Sequence, residues 1–305
     1  MPSILWKGRV SLPMRIMVNA NCLLAWALGT TRDRAAMKQR VKMGYNGGWT
    51  DDGTRYDETG LTHFSRTSEA LLDVVEVRGK TVLDVGCGTG IASSLALERG
   101  AARVLGADLA EGMVAVAQAK ARERRLDETR LQFRQADADA LPYPDNAFDV
   151  VISGLMLEFA PNPLRTLAEM VRVLAPSGHI AVSTHGLEYY WEAIDATFWS
   201  IGKRHLLGYR PEVWQYTEAE MRRPLVAAGL EDVRCSQAKW REEFASGDDA
   251  FAFWVATSSG FWASNIPAET RGRELARVRN YFGRKPVKHI TSDIVLGTAR
   301  KPTAS

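Results

Sequence analysis

The sequence predicts an α/β fold, a doubly wound and Rossmann-like sheet, on three observations. Short apolar runs recur from Thr81 onward and alternate with stretches of helical period, the pattern of a parallel sheet with helices on both faces. The first of those runs closes on VLDVGCGTG, Val82 to Gly90, with three glycines in its last five residues. Leu164, Leu167, Ala168, Val171 and Leu174 then form an amphipathic helix that Pro176 and Gly178 end, just before another apolar run.

Taken in order, residues 1–40 read as an N-terminal extension that says little about function. Its apolar stretch IMVNANCLLAWALG, Ile16 to Gly29, resembles the core of a signal peptide, but two asparagines interrupt it and it is too short to span a bilayer. Met37 and Met43 both precede sequence that reads as a natural start. Residues 41–80 read as a lid segment and a helix. TVLDV (Thr81 to Val85) is a buried strand, and the helix IASSLALERG follows with Gly100 as its C-cap. RVLGAD (Arg103 to Asp108) is the second strand, and Met113, Val116 and Ala117 mark the next helix. LQFRQAD (Leu131 to Asp137), FDVVISG (Phe148 to Gly154) and HIAVSTH (His179 to His185) are further strands. TEAEM, from Thr217, is a capping box opening a later helix. The core is expected over 81–240 and 288–300, with cap insertions at 186–216 and 241–287.

Composition narrows the partners. With 46% hydrophobic and 25% charged residues the chain is an ordinary globular one. A net charge of +3, with Lys and Arg spread among acids, offers no nucleic-acid footprint. Cys22, Cys87 and Cys235 are odd in number and far apart, which fits free thiols in the reducing cytoplasm and neither a disulfide framework nor a metal site. No stable membrane span is expected.

The glycines sit where an open α/β sheet binds ligands, beyond the carboxyl ends of the strands. A P-loop needs GxxxxGK followed by Ser or Thr, and no lysine is present. A dinucleotide site needs GxGxxG, whereas Gly86, Cys87, Gly88, Thr89, Gly90 and Ile91 shift the third glycine by one. S-adenosylmethionine carries a ribose and an adenine without phosphate, so it escapes both requirements.

VLDVGCGTG, GADLAEGM, DADALPYPDNAFDVV and LAEMVRVLAPSGHIAVST together resemble the class I S-adenosylmethionine-dependent methyltransferases, in the group that includes quinone-biosynthesis C-methyltransferases. The likeness is dense over residues 78–185, and IVLGTARKP resembles the family's last strand, which implies that this strand is antiparallel. The resemblance implies that Asp84, Gly86, Cys87, Gly88, Thr89 and Gly90 hold the methionine part of the cofactor. Asp108 then accepts from both ribose hydroxyls, a task suited to the two oxygens of a carboxylate. Leu109 and Met113 line the adenine slot, Asp137 and Ala138 read the adenine edge, and Ser153 and Leu155 lie near the sulfonium.

Methyl transfer is an in-line displacement that positioning and water exclusion accelerate, so no catalytic side chain is obligatory. Glu158, His185 and Tyr189 are the candidate bases where the acceptor must lose a proton. The resemblance makes Tyr56, His63 and Phe64 lid residues. The two insertions are dense in aromatics: Tyr189, Tyr190, Trp191, Phe198, Trp199, Tyr209, Trp214 and Tyr216, then Phe244, Phe251, Phe253, Trp254, Phe261, Trp262, Tyr281 and Phe282. They build either the core of a small cap or a pocket for an apolar or aromatic small-molecule acceptor, such as a quinone, polyketide, terpenoid or lipid precursor. The alternatives are a nucleic-acid or protein methyltransferase, a nicotinamide oxidoreductase, and a non-catalytic subunit that keeps the fold.

Overall fold

The computed structural model describes residues 54–160, 162–190, 192, 216–255, 268–284 and 287–303, with seven isolated positions between 12 and 23. Seven strands form one sheet: β1 (Thr81–Val85), β2 (Arg103–Asp108), β3 (Leu131–Gln135), β4 (Phe148–Gly154), β5 (Leu174–His185), β6 (Glu231–Glu243) and β7 (His289–Arg300). Their spatial order is β3-β2-β1-β4-β5-β7-β6. The helices are α1 (Thr54–Asp73), α2 (Ile91–Glu98), α3 (Glu111–Glu123), α4 (Pro163–Val173), α5 (Glu218–Ala227), α6 (Gly247–Trp254) and α7 (Ala268–Arg284).

β1 lies between β2 and β4 and runs parallel to both. Its Val82 and Leu83 are fully buried, as a strand covered on both faces requires. β3 adds to β2, and β5 to β4, again in parallel. β7 breaks the pattern. The amide of Ser177 donates to the Lys301 carbonyl at 3.0 Å, while that of Gly186 donates to Asp293 at 2.7 Å. Partner numbers fall along β7 as they rise along β5, so the two strands are antiparallel. Phe244 donates to the carbonyl of Lys288, and the Arg300 guanidinium reaches Asp232, which gives β6 and β7 the same opposed sense.

Local sequence explains most boundaries. Gly100, with φ +93°, follows α2 in the left-handed C-terminal position. Thr217 and Glu220 exchange both hydrogen bonds of a capping box at the start of α5. α4 differs from expectation. Its buried face is Thr166, Leu167, Met170 and Val173, whereas Leu164 is 50% exposed and Leu174 already belongs to β5. β5 therefore begins five residues before His179 and passes through Pro176 and Gly178 as an irregularity. Phe148 faces Leu174 while Val150 faces His179, and Ser177 has φ +62°. The extra residues form a bulge, which tolerates a proline that a regular ladder does not. β3 likewise stops at Gln135, two residues short of the expected end.

Two compact units divide the chain: Thr62–Thr184, Tyr216–Ala238 and Ile294–Ser305 form one, and Met1–Leu61, His185–Gln215 and Lys239–Asp293 the other. The first has a core of aliphatic side chains from the strands, α4 and α5, among them Leu83, Val151, Met170, Ile180, Leu225 and Val295. The second has an aromatic core of its own. Tyr189, Tyr190, Phe253, Trp254 and Phe282 are buried with Val278 and Ile290, and Phe244, Phe251 and Tyr281 pack against them. Of the two readings of the insertion aromatics, the described ones other than Tyr216 fill this core or pack against it, and Tyr216 is buried in the first unit. Trp191, Phe198, Trp199, Tyr209, Trp214, Phe261 and Trp262 lie outside the described residues, as do Cys22, Met37 and Met43, and so does the side chain of Tyr56. Among the described residues no helix is long and apolar enough to cross a membrane, and no cluster of His, Cys, Asp or Glu suits a metal ion.

Candidate cofactor site

The site is built by strand register. Asp84 of β1 lies level with Gly106 of β2 and Ile152 of β4, and Asp108 lies level with Gln135 of β3. The carboxyl ends of four adjacent strands therefore deliver Asp84, Asp108, Asp137 and Ser153 to one edge of the sheet. β1 stands where the strand order reverses, the position at which open α/β sheets form a crevice.

The turn from β1 to α2 is tied down by its backbone. The amides of Gly86 and Cys87 both donate to the carbonyl of Ala107, at 2.7 and 3.1 Å. Gly90 has φ +81°, and a Cβ there would stand 2.7 Å from the Phe133 ring and 3.2 Å from the Cβ of Ala117. It supplies the close packing for which the dinucleotide pattern uses a glycine one residue later. Gly88 is different. Its φ is +52°, yet a Cβ there would meet no described atom within 4 Å, so this glycine serves the conformation of the turn and its outer face rather than protein packing.

Asp108 orders that turn. Its Oδ2 accepts from the Gly88 amide at 2.8 Å, and its Oδ1 accepts from the Ala110 amide at 2.9 Å. Burial raises its pKa above the ordinary carboxylate value, against the lowering effect of the amides of Ala110, Gly88 and Leu109. A carboxylate has about four acceptor sites, so the donors already present leave it some acceptor capacity for a ligand hydroxyl.

Asp84 is turned inward, where the Ser93 hydroxyl donates to its Oδ2 at 2.6 Å. Desolvation pushes its pKa up to about 7; the Ser93 hydrogen bond offsets part of this, and the neighbouring Asp108 charge adds to it. Two acids held this close in a buried setting suit a cationic ligand group. The Cys87 thiol is also buried and its pKa is raised by desolvation, which leaves it a poor nucleophile. Thr89 is buried within the same turn.

The remaining cofactor candidates fall around this centre. Leu109 is half-buried at the end of β2, and Met113 is buried in α3. Asp137 and Ala138 are half-buried, and Asp137 Oδ1 accepts from the Asp139 amide at 2.9 Å, which fixes the loop after β3. Ser153 is buried and its hydroxyl donates to the carbonyl of Val85 at 2.8 Å, tying the ends of β4 and β1 together. Leu155 adopts φ +54°, a conformation that disfavours a branched residue, and its amide donates to the Ser183 carbonyl at 3.1 Å.

Of the candidate bases, Glu158 is fully buried in a short 3-10 turn (Leu157–Phe159) just past β4. Tyr216, buried in the same unit, has its phenol pKa raised by burial and further by the carboxylates of Glu158 and Glu220. His185 and Tyr189 fall in the second unit, stacked with ring centroids 3.5 Å apart. Burial lowers His185 to about 3, partly opposed by Asp293, so the imidazole is neutral and weakly basic at physiological pH. Of the lid candidates on α1, His63 is buried and meets Phe64 edge-on at 5.1 Å. Sequence reasoning missed Ser93, nine residues beyond Asp84 and in the first turn of α2, and Tyr216 as a neighbour of Glu158. Ser93 was the more findable, because a hydroxyl in the first turn of the helix points back at the strand end.

The fold and this strand-end turn resemble those of class I, S-adenosylmethionine-dependent methyltransferases. Residues 83–182 match the family described as methyltransferase domain. Over 109 residues the chain is 39% identical to the demethylmenaquinone methyltransferase of Clavibacter sepedonicus, a match covering 36% of this chain and 42% of that protein. Over 111 residues it is 37% identical to the phosphatidylethanolamine N-methyltransferase of Cereibacter sphaeroides, covering 36% and 53%. The chain thus spans about half the length of these curated relatives. Among solved structures, the YcgJ protein of Bacillus subtilis superposes with a TM-score of 0.54 at 18% identity, over 78% of this chain and 99% of that one. The [4+2]-cyclase SpnF gives 0.52 at 25% identity, over 79% and 81%.

Proposed function

We propose that the chain transfers a methyl group from S-adenosylmethionine to a small, apolar or aromatic metabolite. The observation that carries the reading is the pair Asp84 and Asp108 at adjacent strand ends, on either side of a turn that holds Gly88 open. Burial raises both acids, and a ligand with an ammonium group and a vicinal diol answers both. Asp84 is assigned to the ammonium, Asp108 to the ribose hydroxyls, Asp137 and Ala138 to the adenine edge, and Leu109 and Met113 to its ring faces. Gly86, Cys87, Gly88, Thr89 and Gly90 contribute backbone, and Ser153 and Leu155 shape the end of β4. The cofactor supplies an electrophilic methyl group on a sulfonium; the chain's part is to orient, exclude water and, where the acceptor is acidic, take up a proton.

Glu158 is the candidate base in the same unit as the cofactor residues. His185 is a weaker one, because its low pKa leaves it little drive to accept a proton. The apolar acceptor is supported by relatives named for demethylmenaquinone and for phosphatidylethanolamine. The likeness to a protein named as a cyclase keeps a second reaction in play, since one fold hosts several chemistries. Calorimetric titration with S-adenosylmethionine, followed by transfer of a labelled methyl group to metabolite extracts, tests the reading. Cofactor binding with no labelled product from any extract favours the cyclase-like alternative, and absence of cofactor binding overturns both.

A further inference from the structure

The basic residues look dispersed in the sequence, but helical period gathers some of them on α7. Residues 268–288 carry seven Arg and Lys against two Glu, a net of +5 in a chain whose total is +3. The apolar side of α7 is spent: Val278 and Phe282 are buried in the aromatic core, with Leu275 packed against it. On the opposite side, at 100° per residue, Arg273, Arg277 and Arg284 fall within about 40° of one another and along about 16 Å of helix axis. All three are exposed, Arg273 by 60% and Arg277 by 41%. Gly272, Ala276, Asn280 and Gly283 flank them, small or neutral and also exposed, so none of these neighbours shields the ridge.

Part of that charge is neutralised within the helix. Glu274, fully buried, takes both contacts of the Arg277 Nη1 at 2.9 and 3.0 Å and lies 3.9 Å from Arg273. Arg279, off the ridge, pairs with Asp248. The ridge therefore presents about two uncompensated charges, with Lys288 exposed beyond its end. Its exposed positions carry no aromatic ring, since Tyr281 is half-buried and Phe282 buried, so stacking on nucleobases has no platform here.

We infer that this face of α7 rests on an anionic phospholipid surface and brings the enzyme to the bilayer in which an apolar methyl acceptor is dissolved. The inference rests on the apolar-acceptor reading for its purpose, but its contact is purely electrostatic: the ridge has arginines and no apolar side chain to insert. Adsorption of this kind is weak, reversible and screened by salt within a Debye length.

The test uses the full chain sedimented with vesicles of phosphatidylcholine alone or with 30% phosphatidylglycerol, a composition of about that fraction being enough to set a negative surface potential. Binding is expected only to the anionic vesicles and is lost on the order of 0.5 M salt. The variant R273Q/R284Q leaves the Arg277–Glu274 pair in place and removes two charges. At about fivefold per arginine it weakens vesicle partitioning about 25-fold. A control, R122Q/R223Q, changes two exposed arginines of the other unit and leaves partitioning unchanged. Equal binding to both vesicle types, no binding to either, or a R273Q/R284Q loss seen with RNA but not with vesicles overturns the inference. Calorimetry with S-adenosylmethionine on the same samples separates the two readings: vesicle binding without cofactor binding sinks the proposed function alone, and the reverse sinks only the membrane contact.

Discussion

Replacing Asp108 with Asn tests the centre of the site with little change of shape. In the free protein the carboxylate accepts the Gly88 amide at 2.8 Å and the Ala110 amide at 2.9 Å. An amide side chain offers one oxygen, so one of those N–H groups faces an NH2 instead, at a cost of about 1–3 kcal/mol in stability. Binding loses more. Hydrogen bonds to a charged partner contribute about 1.5–3 kcal/mol and neutral ones about 0.5–1.5, so two ribose hydroxyls lose about 2–3 kcal/mol between them. That corresponds to an increase in Kd for S-adenosylmethionine of about 30- to 150-fold. Calorimetric titration measures Kd, and thermal unfolding of the unliganded variant measures the structural part separately. A folded D108N whose Kd lies within twofold of the parent refutes the assignment of Asp108 to the diol.

Three further outcomes follow from the same geometry. Gly90→Ala drives a Cβ into the Phe133 ring and fixes a left-handed φ on alanine, so it lowers stability by about 3 kcal/mol and Tm by about 6–10 °C; Gly88→Ala, with open space around it, loses only about 1–2 kcal/mol but weakens cofactor binding more than G90A does, and the reverse ranking in a thermal-shift and titration series refutes the division of roles. Asp84 is raised to about 7, so the stability its neutral form confers is fully present below the ordinary value of 3.8 and is lost as pH rises through 7. An ammonium ligand prefers the ionised acid, so affinity for S-adenosylmethionine falls up to tenfold per unit as pH drops below 7, and D84N flattens that slope in titrations from pH 5.5 to 7.5. His185, lowered to about 3, stays neutral from pH 5 to 8, so its ring signals in NMR do not move over that interval; a midpoint near 6.5 contradicts the buried setting. Because its pKa is depressed, the stability tied to it is present above about 6.5 and is lost as pH falls towards 3.

The strands of the core were legible because their signal is local. β1, β2 and β4 match the expected boundaries, since each is an apolar run closed by glycine or acid at the sheet edge. β5 was misread at its start for a physical reason: proline and glycine stop a helix, but they also sit in a bulge, and the sequence alone does not separate the two. α4 was expected to bury Leu164, whose neighbours Thr166 and Met170 turn inward in its place. At the site, residue types could be read but not where their side chains turn. Asp84 faces Ser93, Asp108, expected at the ribose hydroxyls, also braces the glycine turn, and the Ser153 hydroxyl is taken by Val85. The cap aromatics carry no period that distinguishes a core from a pocket, and only packing showed that Tyr190, Trp254 and Phe282 fill the interior of their unit.

The opposed strand near the end of the chain has a consequence for biosynthesis. β7 is inserted between β5 and β6, both made earlier. Until residue 300 has left the ribosome, each of those neighbours exposes a row of unbonded amides and carbonyls, the kind of edge that recruits other chains. The nascent protein must therefore keep two open seams from other chains until a late strand enters between them, one place in from the edge of its sheet, a closure between distant segments that is slow by its topology.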